Sequence, residues 1–89
     1  MIKMKLDEIR KLIGELDEEI LRNLAKRKTL VKEIAVLKKS AGMPVIDEKR
    51  EREILEKIRI KSEYIGIDEE FALRLFKIIL ENSRKEQGK

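Results

Sequence analysis

An all-α fold of three helices, the first very long, is what this sequence predicts, and three observations lead to it. Apolar residues recur at steps of three and four along most of the chain. A single cluster of helix-breaking residues, Ser40-Ala41-Gly42-Met43-Pro44, interrupts the first of these patterns. No segment reads as a strand, an internal repeat or a low-complexity tract.

The first helix is expected over about 4–40. Leu6, Ile9, Ile13, Leu16, Ile20, Leu30, Ile34 and Leu37 mark one face, and nothing between them breaks the pattern. At 1.5 Å per residue such a helix is roughly 50 Å long, and its heptad-like spacing calls for a partner helix alongside. An oligomer follows from that length. Gly14 is the weak point of the helix interior, costing about 1 kcal/mol relative to Ala, and it permits a close helix approach. Gly42 suits a C-terminal cap, and Pro44 biases the residue before it away from helix. The second helix is expected over about 47–62, burying Ile54, Leu55 and Ile58. The third is expected over about 68–86, with Asp68 as N-cap before Glu69 and Glu70, and with Ala72, Leu75, Phe76, Ile79 and Leu80 inward.

Composition narrows the chemistry. The 89 residues make one domain, 1–89, close to the size at which a lone hydrophobic core becomes marginal. There is no Cys and no His, which removes thiol nucleophiles, disulfides, imidazole bases and the common zinc sites. No apolar run approaches the roughly 20 residues that span a bilayer, and the N-terminus lacks the apolar segment of a secretory signal, so a cytoplasmic protein with no membrane partner is expected. Charged residues form 45% of the chain, with Lys, Glu and Ile abundant, a balance like that of hyperthermophile proteins. The net charge is +4, yet acids and bases interleave throughout, so no nucleic-acid partner is expected.

Polar residues then interrupt the apolar stripes. Continuing from Ile20 by the same steps lands on Asn23 and Arg27, placing a cation where a core residue is expected. Lys38 lies 11 residues on, at almost the same angle and roughly 16 Å further along. Arg10 lies 17 residues before Arg27, about 25 Å away and turned by roughly 100°, so the two cannot grip one small ligand from the same helix. Arg10 therefore serves another site, such as one on a partner chain. On the second helix Asp47, Arg50 and Glu51 stand at i, i+3 and i+4, with Glu51 in line with Ile54, Leu55 and Ile58. On the third, Ser83 (next to Asn82) extends the apolar stripe, and Gln87 follows one turn later. Each feature alone is read equally well as a solvated charge, an N-cap or a helix end. Together they put hydrogen-bonding groups into the apolar face of every helix, as a pocket for an anion would.

The segments LDEIRKLIGELDEEIL around Arg10, AKRKTLVKEIAVLKK around Arg27 and Lys38, PVIDEKRERE around Asp47, Arg50 and Glu51, and RLFKIILENSRKEQ around Ser83 and Gln87 resemble the all-helical, AroQ-class chorismate mutase family in its stand-alone form. The resemblance covers nearly the whole chain. Its order, spacing and Pro-Val-x-Asp-x-x-Arg-Glu element are its specific parts. Asn23, where relatives are expected to carry an apolar residue, and Lys26, where an acid is common, depart from the pattern and bear on packing near Arg27.

The resemblance implies an intertwined homodimer of three-helix chains with two shared active sites, each borrowing Arg10 from the other subunit. Arg27 and the borrowed Arg10 would clamp the carboxylates of chorismate, with Ser83 and Arg50 in support. Lys38 and Gln87 would donate to the ether oxygen. Glu51 and the backbone of Asp47 would hold the ring hydroxyl. On this reading Arg27, Lys38, Glu51 and Gln87 form the catalytic set.

The implied reaction, an intramolecular [3,3] rearrangement of chorismate to prephenate, needs no nucleophile, base, metal or cofactor, so a chain without His or Cys suffices. The enzyme must hold a flexible dianion in its compact conformer and stabilise charge growing on the ether oxygen. Four cations (the borrowed Arg10, Arg27, Lys38 and Arg50) against the carboxylates of Asp47 and Glu51 leave a surplus of two, which balances a dianion. Two other readings share the sequence. An isochorismate pyruvate-lyase on the same fold uses a similar cationic pocket, and a non-enzymatic dimeric helical interaction module would use the charges only to solvate its faces. No room is expected for a fused dehydratase, dehydrogenase, synthase or amino-acid-sensing module, and hence no regulation by Tyr or Phe unless a partner protein supplies it.

Overall fold

The computed structural model describes the backbone of residues 2–88 and the side chains of residues 5–88. Helix α1 runs Ile2–Ser40, α2 Glu48–Ile65 and α3 Glu69–Gly88. The chain divides into two compact units, Met1–Leu30 and Val31–Lys89. No helix among the described residues is long and apolar enough to cross a membrane.

Within Met1–Leu30 the only element is the first part of α1, and a lone helix cannot bury its own stripe. Leu6, Ile9, Ile13, Leu16 and Ile20 are accordingly 42% to 58% exposed. Asp7 and Arg10 pair loosely at 3.9 Å, as do Glu18 and Arg22 at 3.7 Å, so the charges are met within the helix while the apolar side chains are not.

Within Val31–Lys89, α2 and α3 pack against each other. Ala72 and Leu80 are buried from α3, with Leu73, Phe76 and Ile79 half-buried beside them. Ile54, Leu55 and Ile58 answer from α2, also half-buried. Burying a Leu fully stabilises a fold by roughly 1.5–3 kcal/mol, and few side chains here reach that state, so the unit draws only part of the available apolar free energy. In the last turns of α1 the inward residue is Val31, 8% exposed, with Ala35 and Lys38 half-buried. Leu30, Ile34 and Leu37 of the expected stripe are 58%, 45% and 68% exposed, like Leu6 to Ile20 before them. Steps of three and four pass through either set, and the structure turns the one containing Lys38 inward.

The connections are built from capping chemistry. Gly42, at φ 68°, closes α1 in a left-handed turn in which Met43 N–H donates to the Lys38 carbonyl at 2.8 Å and Gly42 N–H to that of Lys39 at 3.2 Å. Gly66, at φ 81°, ends α2 the same way, with Ile67 N–H donating to Ser62 and Gly66 N–H to Glu63. This cap carries α2 to Ile65, nearly a turn past the expected 62. Asp47 and Asp68 accept from the N–H groups of Arg50 and Phe71 at 3.0 and 2.9 Å, so each satisfies an otherwise orphaned donor at a helix start.

Candidate functional site

The C-terminal turn of α1, the start of α2 and the last turns of α3 bring polar side chains together. Lys38 reaches out of the capped end of α1, where its own carbonyl is held by Met43, and donates from Nζ to the Val45 carbonyl and to Gln87 Oε1, both at 2.8 Å. One side chain thus ties the loop between α1 and α2 to the end of α3. A cavity of about 640 Å³ opens beside this junction, lined by Lys38, Val45 and Gln87 together with Lys32, Lys39 and Met43.

The Lys38 contact also sets the orientation of Gln87. An ammonium only donates, so the amide oxygen is the atom that meets it and the NH₂ group keeps its own donors. Two of the three Lys38 N–H bonds are used, which leaves one to give. The pair therefore keeps an ammonium N–H and an amide NH₂ as donors.

Glu51 lies on the first turn of α2, where Asp47 fixes the helix start and its carbonyl accepts the Glu51 N–H at 3.0 Å. The Glu51 carboxylate is gripped at both oxygens by Arg84 of α3, Nε to Oε2 and Nη2 to Oε1, each at 2.7 Å. These hydrogen bonds from Arg84 hold the Glu51 carboxyl below the ordinary carboxylate range, helped by the charge of Lys38 and opposed by partial burial and Asp47. The same pair pushes the Arg84 guanidinium up. Glu51 stays ionised at neutral pH as an acceptor.

Ser83 is buried and donates from Oγ to the Ile79 carbonyl at 2.9 Å, one helical turn back. Arg50 is exposed and lies 3.7 Å from Glu53 on its own helix. The expected residues of Val31–Lys89 thus include Lys38, Glu51 and Gln87, which carry contacts between segments, Asp47, which caps α2, Arg50, which pairs with Glu53 on its own helix, and Ser83, which donates to Ile79 one turn back. Arg10 and Arg27 belong to Met1–Leu30. Arg10 is exposed beside Asp7, whereas Arg27 is the one half-buried side chain described in that unit, and desolvation lowers its guanidinium pKa. A cation taken partly out of water favours an anion at its side.

Arg84 was not among the residues singled out by sequence. It follows Ser83 and precedes Gln87 by three, so it borders the polar end of α3, but its partner is 33 residues away and only the crossing of α2 and α3 joins them. Among the described residues no group of three or more Asp and Glu side chains is placed to hold a metal ion.

Comparison with known proteins identifies the family. The sequence model of the family Chorismate mutase type II matches residues 9–88. The chain is 38% identical over 80 residues to the chorismate mutase of Methanocaldococcus jannaschii, covering 90% of this chain and 81% of that protein. It is 48% identical over 63 residues to the bifunctional chorismate mutase/prephenate dehydratase of Aquifex aeolicus, covering 70% of this chain but 17% of that protein. With the bifunctional protein of Escherichia coli strain K12 the identity is 36% over 75 residues, covering 84% of this chain and 19% of that protein. The chain therefore spans less than a fifth of either bifunctional relative.

Proposed function

The chain belongs to the chorismate mutase type II family, and from that premise we propose that it converts chorismate to prephenate, in the cytoplasm, as a step toward Phe and Tyr. The observation that carries the reading is the contact of Lys38 Nζ with Gln87 Oε1 at 2.8 Å, which leaves an ammonium N–H and an amide NH₂ to serve one oxygen. The rearrangement breaks a carbon–oxygen bond as a carbon–carbon bond forms, and negative charge grows on the ether oxygen. Donors already fixed before reaction stabilise that charge without reorganising. A rate gain on the order of 10⁶ corresponds to about 8 kcal/mol, within reach of positioning plus a few such donors.

In this reading Arg27 and the Arg10 of a second copy clamp the two carboxylates of the substrate, with Arg50 and Ser83 in support. Arg forks match carboxylates bidentately, which an ammonium cannot. Glu51 and the backbone of Asp47 receive the ring hydroxyl. The assembly is a homodimer with shared sites. The support for it is the exposed stripe of Leu6, Ile9, Ile13, Leu16 and Ile20, which a second long helix would cover.

The test is a prephenate assay on purified protein with chorismate in EDTA, beside Arg27→Ala. Metal-independent turnover abolished by the substitution supports both the reaction and the pocket. A folded dimer that leaves chorismate unchanged overturns the proposal and directs the next assay to isochorismate.

A further inference from the structure

We propose that Arg84 is a positioning residue for substrate recognition: its guanidinium fork holds Glu51 by both oxygens in the orientation that receives the ring hydroxyl. The proposal rests on the reading of Glu51 given above and adds a residue to it.

The geometry separates this pair from the ion pairs described within single helices. Asp7–Arg10, Glu18–Arg22, Arg50–Glu53, Glu56–Arg59 and Glu70–Arg74 each span three or four residues of one helix. Such pairs contribute a few tenths of a kcal/mol in general and orient nothing beyond their own helix. Arg84–Glu51 joins α3 to α2, makes two hydrogen bonds of 2.7 Å, and is the more sheltered, with the Glu51 side chain 22% exposed. A carboxylate gripped along one edge cannot rotate. It keeps the outer lone pairs of both oxygens, so a hydroxyl can still donate to it.

The surroundings make this grip necessary. Lys38 attracts Glu51 from the end of α1, while Asp47 repels it from the start of α2. Without Arg84 the carboxylate would be drawn toward Lys38, whose remaining N–H is wanted by the ether oxygen. Arg84 itself faces Glu48 and Glu81 as well as Glu51, and of these three only Glu51 accepts its fork. Arg84 thus keeps the acceptor for the hydroxyl apart from the donor for the ether oxygen.

Arg84→Leu and Arg84→Lys are compared with the parent by steady-state kinetics from pH 4 to 9, and the Glu51 carboxyl carbon is titrated by NMR in each protein. The hydroxyl itself forms and breaks no bond and gains no charge in the rearrangement, so its contact counts mainly as uniform binding and its loss appears chiefly in KM. Arg84→Leu is expected to raise KM on the order of tenfold with kcat within about threefold, and to move the acid limb of kcat/KM and the NMR titration of Glu51 to higher pH. Arg84→Lys, which restores charge but not the fork, recovers the acid limb more fully than KM. Parental KM in a folded Arg84→Leu protein, or a loss confined to kcat, overturns the proposal. Should Arg84→Leu fail to fold, parental KM in Arg84→Lys overturns it equally. A parent without chorismate mutase activity fails the functional reading instead, and the NMR titration then shows whether Arg84 controls Glu51 at all.

Discussion

Lys38→Ala tests the centre of the site, because one ammonium there makes two structural contacts and, in the proposed reading, also has a chemical task. Structurally the substitution removes two hydrogen bonds of 2.8 Å, to the Val45 carbonyl and to Gln87 Oε1. The first is exposed and the second part-buried, so solvent competition places each below the range for bonds from a charged donor and near the typical net value, about 1 kcal/mol. Together they predict a Tm lower by roughly ten degrees, measured at equal protein concentration because dimerisation also shifts Tm. Chemically the substitution removes a donor to the ether oxygen, and loss of one such donor costs about 10²–10³ in kcat, or roughly 2.7–4 kcal/mol. KM should change far less, since the contact strengthens as charge develops. The assay is prephenate formation at 25 °C, well below both melting transitions, with chorismate varied across KM. A kcat within threefold of the parent, accompanied by the fall in Tm, would leave Lys38 as a strut and refute its role in the reaction.

Three other outcomes are expected. Arg10→Ala and Arg27→Ala should each be inactive, yet mixing and re-equilibrating the two should restore about a quarter of the parental sites, because half the dimers are mixed and each mixed dimer has one intact site; a mixture as inactive as its components would exclude sharing. Activity should be flat from about pH 5 to 9, because the Gln87 amide does not titrate and Arg84 holds the Glu51 carboxyl below the ordinary carboxylate range; a steep loss between pH 6 and 8 would contradict the role of Gln87. In urea unfolding, the Glu51–Arg84 contribution should be fully present above the unfolded carboxylate value of about 4.3 and lost as pH falls through the lower folded value, so the stability gap between parent and Arg84→Leu should close in acid. A gap of constant size down to pH 2 would show that the pair is not its source.

Local chemistry was the most legible part of the sequence. Asp47, Asp68 and Gly42 declare themselves through side-chain or backbone properties that act over three or four residues, and each caps a helix in the structure. Gly66 acts by the same backbone freedom, and overlooking it moved the expected end of α2. Phase was harder. In the last turns of α1 both Leu30-Ile34-Leu37 and Val31-Ala35-Lys38 satisfy helical spacing, and periodicity does not choose between two admissible faces. Arg84 marks the limit most clearly, because its partner is set by how two helices cross, and nothing within reach of residue 84 along the chain encodes that.

The tie between Lys38 and Gln87 also bears on how this protein responds to heat. Gln87 lies in the last described turn of α3, beyond the stretch of that helix that packs on α2, and turns with few packed neighbours open at lower free energy than packed ones. Lys38 is the brake on that opening, holding the turn by a side-chain contact to a residue 49 positions away. When the turn frays, the amide donor leaves the site while the packed length of α2 and α3 stays in place. On the proposed role of Gln87, opening of this turn would remove a donor without unfolding the helices, so activity is expected to fall on warming before the global transition.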